Sequence, residues 1–250
     1  MRERLSNETN PPIELSVVMP AYNEEKLIAD AVKEVQDQIL SLYAASQLIV
    51  VDDGSKDGTG AILDKLAAAD ARVKVIHQKN AGHGQALLAG MNSAQGEFLL
   101  LVDSDRQITM ESFAPFKEQA DQYDAILGVR RFRHDPPSRL VLTRIVRAIL
   151  FACLGVNLRD ANCPFKLVKR SVWQTAKTVI TDDTLTPSLF LAVFLCQPGY
   201  KIKEQEVTHR ERPAGVSTIR HWKLLKFCGA AFEQLLEFKK RLARDKIASK

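Results

Sequence analysis

Four aliphatic runs, each closed by acidic or amide residues and each followed or preceded by a helical stretch, restrict this chain more than any other feature of its 250 residues. "IELSVVMP", stopped at Pro20, is followed by a predicted helix from about Glu24 to Ser41, with apolar positions at Leu27, Ile28, Ala31, Val32, Val35 and Ile39. "QLIVVDDGS" leads into a helix from about Thr59 to Ala69, "VKVIHQ" into one from about Gly84 to Ala94, and "EFLLLVDSD" is the fourth strand. Strands that read as continuous aliphatic runs and alternate with helices predict an α/β fold: a mostly parallel central sheet with helices on both faces. Ligands of such sheets bind beyond the carboxyl ends of the strands. The unusual polar residues fall there: Asn23 and Glu24, then Asp52 and Asp53, then Asn80, Gly82 and Gly84, then Asp103 and Asp105. A lone D-x-D is usually a surface turn; four such strand ends in register point to a ligand.

An apolar fraction of 46% and a charged fraction of 26% are ordinary for a soluble globular chain able to bury a core. Cys153, Cys163, Cys196 and Cys228 form no C-x-x-C pair, so neither a zinc ribbon nor a redox motif is indicated. With a polar, charged N-terminus, free thiols in a cytoplasmic setting are expected. Residues 1–12, ending in Pro11 and Pro12, read as a flexible lead-in, 13–220 as one folded unit, and 221–250 as an amphipathic basic C-terminal helix.

The net charge of +5 hides a split: residues 1–129 hold 11 Lys/Arg and 20 Asp/Glu, whereas 130–250 hold 24 and 10. The basic half either faces an anionic partner or is a solvated surface. After "DAILGVRRFR", a fifth strand with a basic exit, the stretch "RLVLTRIVRAILFACLGVNL" carries Arg144 and Arg147 among apolar residues. Each central arginine costs a spanning helix roughly 2.5 kcal/mol. What remains is a helix lying in a membrane interface or a core helix with a solvent-facing arginine stripe. "HWKLLKFCGAAFEQLLEFKKRLARDK" poses the same alternatives, with Lys239, Lys240, Arg241, Arg244 and Lys246 available to anionic lipid. No aromatic-interleaved basic motif suggests nucleic acid, and no G-x-G-x-x-G follows the first strand.

If the ligand is a nucleotide diphosphate-sugar, its pyrophosphate calls for a divalent cation held by carboxylate oxygen. Asp103 and Asp105, two apart on an extended segment, share a side, so one could orient the sugar or ribose while the other binds metal. Gln107 continues that alternation as a further ligand. Breaking the sugar–phosphate bond builds negative charge on the departing diphosphate, a role for arginines such as Arg210 and Arg212 in "HRERPAGVST".

"VVMPAYNEE", "VVDDGSKDGT", "NAGHGQALLAGMNSAQGEFLLLVDSD" and "RERPAGVS", in that order from about Ile13 to Thr218, resemble glycosyltransferase family 2 of the GT-A fold, and within it the dolichyl-phosphate or polyprenyl-phosphate sugar synthase branch. The resemblance implies inverting transfer of a hexose from a GDP- or UDP-sugar to a polyprenyl phosphate, with Mg2+ or Mn2+, peripherally on the inner, cytoplasmic face of a membrane. It implies nucleoside contacts from Pro20, Tyr22, Glu24 and Asp52 or Asp53, with Asn80 and Gly82 beside them, and a metal at Asp103, Asp105 and Gln107. Arg130 takes the place of the branch's arginine near the donor phosphates, Lys166 in "CPFKLVKRSVW" stands for another arginine, and Arg212, Gly215 and Ser217 match R-x-x-G-x-S.

Three departures bear on the acceptor. Thr218 replaces the usual lysine, leaving Arg220 or Lys223 to supply that phosphate contact; Arg106 follows the D-x-D where an apolar residue is usual and could place a cation beside the metal; and "TLTPSLFLAVF" lacks the frequent acidic residue. A phosphate acceptor needs no strong general base, whereas a hydroxyl acceptor would require Asp182 or Asp183, which read equally well as a helix cap. The alternatives to the synthase are a soluble family 2 transferase with a hydroxyl acceptor and a non-catalytic nucleotide-sugar-binding relative. Oligomeric state stays open.

Overall fold

The structure is a computed structural model that describes residues 12–131, 137–211 and 221–248. All but the last residue of the lead-in expected over 1–12 lies outside them. The chain runs β1 (Leu15–Ala21), α1 (Ile28–Gln38), β2 (Ser46–Asp52), α2 (Thr59–Ala69), β3 (Val73–His77), α3 (His83–Ser93), β4 (Phe98–Leu101), α4 (Ala114–Lys117), β5 (Ala125–Arg131), α5 (Pro137–Leu154), β6 (Lys166–Lys169), α6 (Arg170–Ala176), α7 (Pro187–Leu195), β7 (Ile202–Thr208) and α8 (His221–Ala248). The first helix is shorter than its periodicity predicts. Residues 22–27 form a loop tied to the next strand's exit, and a 3-10 turn at Leu40–Leu42 follows the C-terminus.

The seven strands make one sheet in the order β3-β2-β1-β4-β6-β5-β7. All neighbours are parallel except at β6, which runs antiparallel to both β4 and β5. Alternation along each strand divides the core into two layers. Val17, Met19, Leu48, Val50 and Leu100 face α1 and the Phe113, Phe116 and Phe165 rings, while Val18, Ile49, Val51, Leu99 and Leu101 face α3, α6, α7 and α8. Gly90 of α3 sits so close to β1 that an added Cβ would meet Val18 Cγ1 at 2.4 Å. A larger residue there would lift the helix off the sheet.

Chain order reverses between β1 and β4: β2 and β3 lie to one side of β1, and β4 lies to the other. Such a switch point opens a crevice at the strands' carboxyl ends. Pro20 sharpens it. The Val102 N–H donates to the Val18 carbonyl at 3.0 Å, and the next bond of that parallel ladder would need an N–H at residue 20, which proline lacks. β4 therefore separates from β1 as the chain reaches Asp103. β1 itself continues past Pro20 to Ala21, because its other edge remains paired with β2.

Both amphipathic segments are helices packed on the second core layer. Leu150 of α5 and Leu235, Phe238 and Leu242 of α8 are buried, and the Phe238 ring stacks on Phe190 of α7 with centroids 4.9 Å apart. The same helices also expose large apolar side chains: Ile145 and Phe151 on α5, Phe232 and Leu236 on α8. Among the described residues no helix is long and apolar enough to cross a membrane.

Candidate active site

Asp103 and Asp105 emerge at the switch point. Asp103, Asp105, Gln107, Arg130 and His209 line one pocket with Phe165 at its wall. The Gln107 N–H donates to Asp105 Oδ1 at 3.0 Å, closing a tight turn. Beyond it the chain pairs antiparallel with the end of β7: Ile108 bridges His209, and the Arg210 N–H donates to the Gln107 carbonyl at 2.8 Å. That pairing brings buried His209 to the pocket across a hundred residues of sequence. His83, the first residue of α3, approaches from another side, its Nε2 3.8 Å from Asp103 Oδ1. Neither histidine was singled out from the sequence, although His209 immediately precedes the quoted "RERPAGVS".

Arg130, at the end of β5, is held by a buried carboxylate: its Nε donates to Asp160 Oδ2 at 2.8 Å and its Nη2 to Asp160 Oδ1 at 2.9 Å. A two-bond grip of this kind fixes the plane of the guanidinium. Lys166, which the resemblance sets in the place of another arginine of the branch, is fully buried. Its Nζ donates to the Cys163 carbonyl and to Ser188 Oγ. Burial pulls its pKa down to about 8. Arg106 adds no cation to the pocket, for its guanidinium turns to Glu34 and Asp30 of α1. Arg210, considered for the diphosphate, also pairs with Glu34, at 3.1 Å.

Beyond the ends of β1 and β2, two loops brace one another. The Asn23 N–H donates to Ser55 Oγ at 3.0 Å, the Lys56 N–H to Asn23 Oδ1 at 2.8 Å, and the Glu24 N–H to Thr59 Oγ1 at 2.9 Å. Tyr22 stands exposed beside them. The two aspartates after β2 part in role. Asp53 accepts from the Gln78 amide at 2.7 Å and from the Ala81 and Gly82 N–H groups at 2.8 Å each, while the Asn80 amide donates to its carbonyl at 2.9 Å. It closes the 78–82 loop, so Asn80 and Gly82 are shaped by Asp53. Gly54 permits this closeness, since a Cβ there would stand 2.7 Å from the Asn80 nitrogen.

Asp52 meets His77 Nδ1 at 3.0 Å, and His77 Nε2 meets Asp64 Oδ1 at 3.0 Å. Burial tends to raise the Asp52 pKa, but hydrogen bonds from Ser55 and His77 prevail and lower it. The bonds to Asp64 and Asp52 raise that of His77.

Asp182 and Asp183 are exposed in the loop before α7, with the Thr181 hydroxyl bonded to Asp183 Oδ1 at 2.5 Å. They do not line the pocket. Arg212, Gly215, Ser217, Thr218 and Arg220 lie outside the described residues, as does the side chain of Lys223.

Residues 16–176 match the sequence model of the family described as Glycosyl transferase family 2. The chain belongs to that family. It is 31% identical over 220 residues to the undecaprenyl-phosphate 4-deoxy-4-formamido-L-arabinose transferase of Pseudomonas aeruginosa, covering 86% of this chain and 63% of that protein. It is 30% identical over 201 residues to glycosyltransferase AglD of Haloferax volcanii, covering 77% and 32%. The chain thus spans less than two thirds of the length of these curated relatives. Among solved structures, glucosyl-3-phosphoglycerate synthase from Mycobacterium tuberculosis superposes with a TM-score of 0.65 at 20% identity, covering 90% of this chain and 78% of that one. TarS of S. aureus superposes with a TM-score of 0.55 at 22% identity, covering 81% and 59%. The family 2 chain has the GT-A fold that its motifs implied.

Proposed function

We propose that this family 2 protein transfers a hexose, with inversion, from a nucleotide diphosphate-sugar to a polyprenyl phosphate at a membrane surface, residues 13–220 forming the catalytic unit. The observation that carries the reading is the convergence of Asp103, Asp105 and Gln107 in one switch-point pocket beside Arg130. Similarity over 86% of the chain to undecaprenyl-phosphate sugar transferases supports the acceptor class.

Two carboxylates and an amide oxygen are hard donors suited to Mg2+ or Mn2+. Such an ion would take its remaining ligands from substrate phosphates. When bound, the ion would offset the charge developing on the departing diphosphate. Arg130, its plane fixed by Asp160, lines the same pocket. The braced loops at 22–27 and 53–58, with Tyr22 and Glu24, receive the nucleoside, and Asp52 is kept ionised beside them. A phosphate acceptor is already anionic near neutral pH and needs no strong base, so the distance of Asp182 and Asp183 from the pocket is no obstacle. The exposed Ile145 and Phe151 of α5, close in sequence to exposed Arg144 and Arg147, and the exposed Phe232 and Leu236 of α8, close in sequence to exposed Lys239 and Lys240, are the groups we assign to contact with an anionic membrane.

The deciding experiment is a turnover panel with purified protein and Mg2+ or Mn2+: UDP- and GDP-sugars, each with and without polyprenyl phosphate, following nucleoside diphosphate release. Release that requires the lipid supports the synthase and names the donor. Release onto a hydroxyl compound, or donor binding without release, replaces it with a hydroxyl-acceptor transferase or a non-catalytic relative.

A further inference from the structure

We infer that Glu34, on α1 and outside the pocket, is a positioning residue for the turn that carries Asp105 and Gln107. The inference rests on the reading of those residues as metal ligands. Arg106 stands between them, where the resembled branch has an apolar residue. Its backbone is left-handed, at φ +58°, a conformation that a long side chain keeps only where its surroundings enforce it.

Glu34 supplies that enforcement. Arg106 Nε donates to Glu34 Oε2 at 3.1 Å and its Nη1 to Asp30 Oδ2 at 2.8 Å. Arg210 Nη2 donates to Glu34 Oε1 and Oε2 at 3.1 and 3.3 Å, and its Nε to the Arg106 carbonyl at 2.9 Å. The Met110 N–H points to Glu34 Oε1 at 3.4 Å. One carboxylate, only 10% exposed, therefore holds both strands of the short pairing that brackets Gln107. Two guanidiniums and two carboxylates balance in charge; without Glu34, Asp30 alone would face both cations. An unanchored turn would let Asp105 and Gln107 drift from the geometry in which both face one ion, and partners that orient metal ligands typically matter about 10- to 100-fold in affinity.

The test uses the full chain and the variants Glu34→Gln and Arg106→Leu. Asp37→Asn is the control, breaking the exposed Lys33–Asp37 pair (2.9 Å) on the same helix. Mn2+ affinity in the presence of UDP or GDP is read from the electron paramagnetic resonance of free Mn2+. Hydrogen exchange over residues 103–110 is read in metal-free protein. Glu34→Gln and Arg106→Leu are expected to weaken Mn2+ binding about 10-fold or more and to speed exchange over 103–110, with Asp37→Asn changing neither. Unchanged Mn2+ affinity in Glu34→Gln overturns the inference, even if exchange quickens or the melting temperature falls, because Glu34 would then be only a brace. Absence of Mn2+ binding in the unaltered protein with either nucleotide overturns both the inference and the metal reading. Weakened Mn2+ binding in a protein that transfers no sugar to polyprenyl phosphate leaves the inference standing and overturns the proposed reaction.

Discussion

Asp105 has two demands on its carboxylate, and they separate cleanly on substitution. One oxygen closes the turn by accepting the Gln107 N–H, a task that an asparagine oxygen performs as well. The negative charge has no such substitute at a metal site. Asp105→Asn is therefore expected to keep its melting temperature while metal-dependent turnover falls about 100-fold; metal titration of turnover beside thermal unfolding checks it, and full activity would remove the metal assignment. Lys166 gives a second handle at this scale. Its folded pKa of about 8 lies below its ordinary 10.5. Between those values the unfolded chain retains a proton the folded chain has released, so this group's contribution to stability rises with pH across that window. Urea midpoints of the unaltered protein should thus rise relative to Lys166→Met from about pH 8 to pH 10, and parallel curves would show an ordinary lysine. The place of Asp105 at a strand end beside Gln107 was legible in the sequence, whereas that of Lys166 was not: "CPFKLVKRSVW" marks it as interesting, but its burial depends on β6 lying between β4 and β5.

At the scale of elements, α5 and α8 resolve an ambiguity that the sequence presented as a choice. Each is a core helix on one face and carries apolar side chains on the other. Deleting residues 222–250 would remove Leu235, Phe238 and Leu242 from the core and confound any test of membrane binding. Substitution on the outer face avoids that. Phe151, 61% exposed, and Leu236, 40% exposed, should tolerate glutamate without loss of melting temperature. Losing insertion of either side chain is expected to weaken binding to anionic liposomes about tenfold, the effect of roughly 1.4 kcal/mol. Unchanged sedimentation with liposomes would reassign those faces to solvent. The two helices after β1 and β2 show how far periodicity reaches: α2 coincides with the segment predicted from Thr59 to Ala69 because local periodicity sufficed, whereas α1 begins later than predicted because residues 22–27, after β1, are tied to the loop after β2.

The whole molecule is polarised in charge. Residues 1–129, which contain the D-x-D, carry the acidic excess, and 130–250, which contain α5 and α8, the basic excess. Attraction of the basic half to anionic vesicles should weaken between 0.1 and 1 M salt, as the screening length shortens from about 10 to about 3 Å. Binding to zwitterionic vesicles should show no such trend. Flotation assays across that range check it, and salt-independent binding to anionic vesicles would leave apolar insertion as the sole attraction.

By itself the sequence determined the alternation of strand and helix, the parallel character of β1 to β4, and the clustering of acidic and amide residues at their carboxyl ends. Those properties follow from which side chains each short segment must bury, and periodicity records that locally. Only the tertiary structure decided which partner each polar side chain takes. It inserted β6 antiparallel between β4 and β5, committed Asp53 to a neighbouring loop, turned Arg106 and Arg210 toward Glu34, and brought His209 to the pocket that Asp105 lines. A strand's burial pattern is set within a few residues of itself, but a charged side chain settles wherever distant elements bring a complementary group within hydrogen-bond reach.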